Sequence, residues 1–127
     1  MSNELSEANL AQFTGTETWY EHPLARKILY TDGAKYVAEK GGAYWLLDII
    51  ATNNAYGPPE FKREEFQVWT LKVDLEAHTG VLTCSDGGKD GHESKVFFTQ
   101  EIEYTDFPLP EITLWFQNNT IFLPSEY

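Results

Sequence analysis

The most regular pattern in the chain lies in its second half. From Gln67 onward, Trp69, Leu71, Val73 and Leu75 alternate with Thr70, Lys72 and Asp74, the two-residue period of a strand with one face in a core. A His78-Thr79-Gly80 turn leads into a second strand, Val81-Leu82-Thr83-Cys84. A polar loop with three glycines, residues 86–93, precedes a third strand over 95–104. There Val96, Phe98, Ile102 and Tyr104 share one face, and Thr99, Glu101 and Glu103 share the other, which is expected to meet water. Beyond Pro108 and Pro110, apolar runs at 112–116 and 121–123 flank Asn118-Asn119, a pair suited to a tight turn.

Helical signals concentrate earlier. Ser6 can cap a short helix over about 7–13, with Leu5 and Leu10 at the staple positions and Gly15 as its stop. Apolar segments at 27–30 and 35–38 flank Asp32-Gly33, which predicts a hairpin. A helix starting at Thr31 competes, since Tyr36, Val37 and Lys40 fit helical spacing; the hairpin is the preferred reading. Gly41-Gly42 breaks the chain, and 43–52 reads as a helix whose only charge is Asp48, hence a buried one. Asn53-Asn54 is expected to end it, with 55–63, including Pro58-Pro59, as a loop. Helices early and strands late predict one α+β domain over 1–127: an antiparallel sheet of about five to six strands with two helices packed on one face.

Composition supports a folded core. Aromatics make up 15% of 127 residues, and each can bury roughly 150–250 Å². The single cysteine, Cys84, excludes an intramolecular disulfide. The acidic start carries no secretory pattern, and no apolar run approaches the roughly 20 residues of a membrane span. The expected location is therefore cytoplasmic, so Asn118-Asn119-Thr120 reads as a turn rather than a glycosylation site.

Charge changes the picture most. The net charge is −11, and its distribution is uneven: residues 1–64 carry nine acids and six bases, residues 65–127 eleven acids and three bases. Such a surface repels polyanions, which argues against direct nucleic-acid binding and against docking on an anionic membrane. It suits a protein partner with a basic surface.

No constellation demands catalysis. Cys84, between Thr83 and Ser85 in an alternating run, reads as a small buried residue rather than a nucleophile. The loop at 86–93 resembles a calcium loop, but Gly88 and Phe97 stand where the third and twelfth positions need oxygen ligands. His22, His78 and His92 have no second ligand at metal spacing. Gly41-Gly42 lacks the Lys-Ser/Thr of a phosphate loop. No cofactor or metal is expected. Two candidate sites follow. Glu101, Glu103, Asp106 and Glu111 form the densest acidic group, a candidate partner surface. Trp19, Tyr20 and His22, in an aromatic stretch expected to be a loop, are candidate ligand-binding residues.

Several segments resemble a small bacterial family of unknown function, found on chromosomes, plasmids and phages. They are Gln12-Phe13-Thr14-Gly15-Thr16-Glu17, Trp19-Tyr20 with His22, Tyr30-Thr31-Asp32-Gly33 and Gly42-Ala43-Tyr44-Trp45-Leu46. Glu65-Phe66-Gln67-Val68-Trp69, Thr105-Asp106-Phe107-Pro108-Leu109 and Leu123-Pro124-Ser125-Glu126-Tyr127 extend the likeness. It covers nearly the whole chain and implies a bacterial protein carried by a mobile element; it implies no catalytic residue. The segment 86–93 is longer than the hairpin of a typical member. The leading expectation is a non-enzymatic acidic protein-binding module, an inhibitor or accessory factor of a mobile element. The alternatives are a small-molecule-binding protein or enzyme with a pocket near Trp19, Tyr20 and His22, and a homo-oligomer associating through a sheet edge.

Overall fold

The structure, a computed structural model, describes residues 18–88 and 94–126. The helix expected at 7–13 lies outside them. Among the described residues the fold is α+β: a seven-stranded sheet with three helices. The strands are β1 (Trp19–Glu21), β2 (Leu29–Thr31), β3 (Phe66–Asp74), β4 (Thr79–Ser85), β5 (Val96–Ile102), β6 (Glu111–Gln117) and β7 (Thr120–Phe122). They lie in the order β1-β2-β7-β6-β3-β4-β5. The expected sheet of five to six antiparallel strands is thus exceeded, and β2 pairs with β7 in parallel. The segment expected as a strand at 27–30 contributes β2, whereas β1, three residues in a stretch expected to be a loop, leaves too short a trace for the period-two signal.

The helices are α1 (Asp32–Lys40), α2 (Tyr44–Tyr56) and α3 (Pro59–Arg63). The first corrects the hairpin expected at Asp32-Gly33. Thr31 caps α1, its hydroxyl accepting from the Ala34 amide at 3.2 Å, and Ala34, Val37 and Ala38 form a buried stripe at helical spacing. Gly33 is there for room, not for a left-handed turn. A Cβ at this position would press on the Glu126 carboxylate and come within 2.7 Å of Leu123 Cδ1. That carboxylate, buried in the 3-10 turn Pro124–Glu126, fastens the C-terminal segment to the start of α1. Its Oε1 accepts from the Thr31 hydroxyl at 2.7 Å and the Leu123 amide at 2.8 Å, and its Oε2 accepts from the Gly33 amide at 3.2 Å. A negative charge at this end of a helix also meets the positive end of its dipole.

Helix α2 runs past the expected stop. Asn53 and Asn54 turn their amides back onto the Ile49 and Ile50 carbonyls, and the helix ends at Gly57, whose N–H reaches the Asn53 carbonyl. The expected loop at 55–63 contains α3, because Pro59 opens a helix at a position where no amide proton is needed. No helix among the described residues is long and apolar enough to cross a membrane.

The alternation read from Gln67 holds within β3, where Gln67, Trp69 and Leu71 are buried and Thr70 and Lys72 face the other way; Leu75, expected on the core face, lies past the strand and is exposed. Trp69 and Leu71 join Leu82, Cys84, Leu114, Ile121, Leu46, Leu47 and Ile50 in one core. In β5 the expected face is broken. A bulge opposite Cys84 and Ser85 inserts Phe97, so Phe97 and Phe98 both pack on Phe61, and Val96 is left exposed. Tyr104, beyond the end of β5, is exposed too. The Asn118-Asn119 turn forms as expected, with φ of 53° and 58°, the left-handed pair a two-residue hairpin requires.

Replacing Glu126 with Ala leaves the Thr31 hydroxyl and the Gly33 amide without their acceptor. It should lower unfolding free energy by roughly 2–4 kcal/mol. Gly33→Ala should cost about 1–3 kcal/mol by crowding the same point. Urea unfolding monitored by tryptophan fluorescence measures both; wild-type midpoints would contradict the assignment.

Candidate functional site

The strand registers gather the acidic residues at one end of the sheet. Glu111 of β6 lies opposite Lys72 of β3, Lys72 opposite Val81 of β4, and Val81 opposite Glu101 of β5. This row runs across the sheet face opposite the core, with Lys72 as its cation. Asp74 and Glu76 lie at the same end, in the connection from β3 to β4. There Asp74 Oδ1 accepts from the Glu76 and Ala77 amides at 3.0 and 3.1 Å, and His78 adopts φ of 58° to complete the turn. The chain leaving β5 runs along this turn. The Thr105 amide donates to the His78 carbonyl at 2.8 Å, and the Tyr104 ring stacks on the His78 imidazole at 5.8 Å. Buried Thr105 and Phe107 anchor the segment, while Glu103, Tyr104 and Asp106 face solvent. All four predicted acids, Glu101, Glu103, Asp106 and Glu111, are exposed and lie at this end. Three of the exposed large apolar side chains, Leu75, Val81 and Tyr104, lie there with them.

Trp19, Tyr20 and His22 are arranged differently. Trp19 and Tyr20 alternate on the edge strand β1 rather than in a loop, so they point to opposite faces. Trp19 is about half exposed, while Tyr20 stacks on Tyr30 at 5.5 Å. The Tyr20 hydroxyl donates to Asp32 at 2.9 Å, and this bond, with partial desolvation, raises its pKa above the ordinary phenol value. His22 is buried, with both ring nitrogens engaged. The Leu24 amide can only donate, so Nδ1 accepts from it at 3.1 Å, and the proton on Nε2 goes to Asp48 at 2.8 Å. With the bond from the His22 amide to the Ile28 carbonyl, the imidazole fixes the shape of the 22–28 loop. It has no free nitrogen for a metal or a substrate.

What that loop shapes is a groove of about 880 Å³, lined by residues 23–28, the end of α2, α3, residues 64–65, Phe116 and the Asn118-Asn119 turn. His22 lies just outside the lining. The sequence reading missed this groove because its wall comes from several separate segments. A signal was present, however: Arg26-Lys27 and Lys62-Arg63 are the chain's two pairs of adjacent bases, and Arg26, Lys27 and Lys62 all line it.

A buried amide pair braces the same region. The Gln67 side chain is fully buried; its Oε1 accepts from Asn54 Nδ2 at 3.0 Å and Trp69 Nε1 at 2.9 Å. Its Nε2 donates to Asn54 Oδ1 at 2.8 Å and to the Phe61 carbonyl at 2.9 Å. With both donors and both lone pairs used, the group locks α2 and α3 to β3 and offers no reactive atom. Cys84 lies beside it, and burial pushes its thiol well up from the ordinary range. Among the described residues no group of three or more His, Cys, Asp or Glu could hold a metal ion.

The model of a family described as a family of unknown function, DUF6876, matches residues 4–127, and the chain belongs to that family. No curated protein and no solved structure matches it.

Because its pKa is raised, Cys84 stays protonated through neutral and mildly alkaline pH and cannot act as a thiolate. A disulfide reagent such as DTNB should leave the native protein unlabelled over minutes at pH 8 and label the urea-unfolded chain stoichiometrically. Rapid native labelling would contradict this.

Proposed function

We propose that this member of the family acts by binding rather than catalysis, as an acidic module that docks a protein partner through the end of the sheet carrying Glu101, Glu103, Asp106 and Glu111. The observation that carries the reading is the placement of exposed Leu75, Val81 and Tyr104 among those carboxylates and Asp74 and Glu76. A tyrosine held in place by stacking on His78 is the kind of anchor from which interfaces draw binding energy. The surrounding carboxylates would steer a basic surface toward it and reject acidic ones. Nucleic acid is disfavoured as the direct ligand by the same charge.

In the bacterial, mobile-element setting that the family resemblance implies, such a surface would serve an inhibitor or accessory factor of a basic protein. The reading that uses Trp19, Tyr20 and His22 as a ligand site has less support, since the His22 nitrogens and the Tyr20 hydroxyl are already committed to partners.

The test is capture from a bacterial lysate on the immobilised protein, followed by titration of the captured partner. The double variant Glu101→Lys with Glu103→Lys should weaken binding about tenfold or more, and Tyr104→Ala should weaken it comparably. Added salt should weaken the wild-type complex. Binding unchanged by both variants and by salt would remove the acidic-end reading.

A further inference from the structure

The groove beneath the 22–28 loop has a chemistry opposite to the rest of the molecule. Its floor is closed by Ala25, Ile28, Phe61 and Phe116, which are almost fully buried in the core. Its rim exposes Leu24 and Tyr56, which are joined by a bond from the Tyr56 hydroxyl to the Leu24 carbonyl at 3.1 Å. Three cations line it, Arg26, Lys27 and Lys62, and none makes an ion pair with a described residue. Glu64 and Glu65 also line it, so the local balance is three bases to two acids in a chain of net −11. The volume of about 880 Å³ falls in the range of small-molecule pockets, roughly 300–1,000 Å³.

The groove is also prebuilt. The Gln67–Asn54 amide pair fixes the junction of α2, α3 and β3 behind it, and His22 fixes the loop in front through Asp48, the Leu24 amide and the Ile28 carbonyl. A buried polar brace on each side holds a cavity open where a flexible loop would collapse into it. Its negative counterpart lies at the far end of the sheet. Phe66 of β3 pairs with Gln117 beside the Asn118-Asn119 turn, while Lys72 pairs with Glu111. The nine residues of β3, at roughly 3.3 Å each, separate the two ends by about 25–30 Å.

We infer that this groove is a binding site for a small organic anion with an apolar body, such as a medium-chain carboxylate. The apolar body lies along Leu24 and Tyr56, the large apolar side chains that the groove exposes. The anionic head faces Arg26 and Lys27. This inference is independent of the acidic-end reading, because the two sites share no residue.

The test is an NMR amide-shift titration of the full chain with sodium decanoate, kept below its micelle concentration, with decanol as the uncharged control. Decanoate should move amides in 24–28, 54–56, 61–65 and 116–119, and decanol should bind about tenfold more weakly. Arg26→Glu combined with Lys27→Glu, both on exposed side chains, should weaken decanoate binding about tenfold with a wild-type amide spectrum elsewhere. Glu101→Lys with Glu103→Lys should leave it unchanged. Shifts centred on the open sheet face around Phe66 and Trp115, equal binding of decanol, or no effect of the loop variant would each overturn the inference. So would the absence of any shift up to millimolar decanoate.

Discussion

The Glu126 carboxylate is the point at which the C-terminal turn is fastened to the start of α1. It closes a contact 95 residues long in sequence with the Thr31 hydroxyl, and it lies against the first turn of α1 and the 3-10 turn that follows β7. It adds to the Thr31 cap at the start of α1. With it, the chain leaving β2 turns into α1, and the parallel β2–β7 pair is held beside it.

Much of this was legible from local pattern. The alternation from Gln67 to Asp74, the Asn118-Asn119 turn and the apolar run beginning at Tyr44 each carry their signal within a few residues, and each appears where that signal places it. The failures share a cause. Gly33 was read as a turn glycine, because what selects it is the carboxylate of Glu126, far away in sequence. Val96 was assigned to the core face, because a bulge depends on the partner strand. Asn53-Asn54 was read as a stop, because its amides find acceptors that only the folded helix and Gln67 provide. The acidic residues were identified, but their company with Tyr104, Leu75 and Val81 follows from strand register. The groove was invisible as a whole, although its two basic pairs stood in the sequence.

Two poles of opposite chemistry emerge from one sheet. At one end carboxylates surround exposed apolar side chains; at the other, cations rim an apolar groove. The titratable and reactive groups between them are committed. His22 is held by a carboxylate and an amide, Gln67 is saturated, and Cys84 is desolvated. Committed groups of this kind rigidify the scaffold between its two ends.

Hydrogen–deuterium exchange on the complex with a captured partner tests this account most directly. Slowed exchange confined to residues 74–81 and 101–111, with 23–28 and 54–65 exchanging as in the free protein, is the predicted footprint. Protection centred on 23–28 and 54–65, with the acidic end unchanged, would show that the partner reads the groove and would contradict the account.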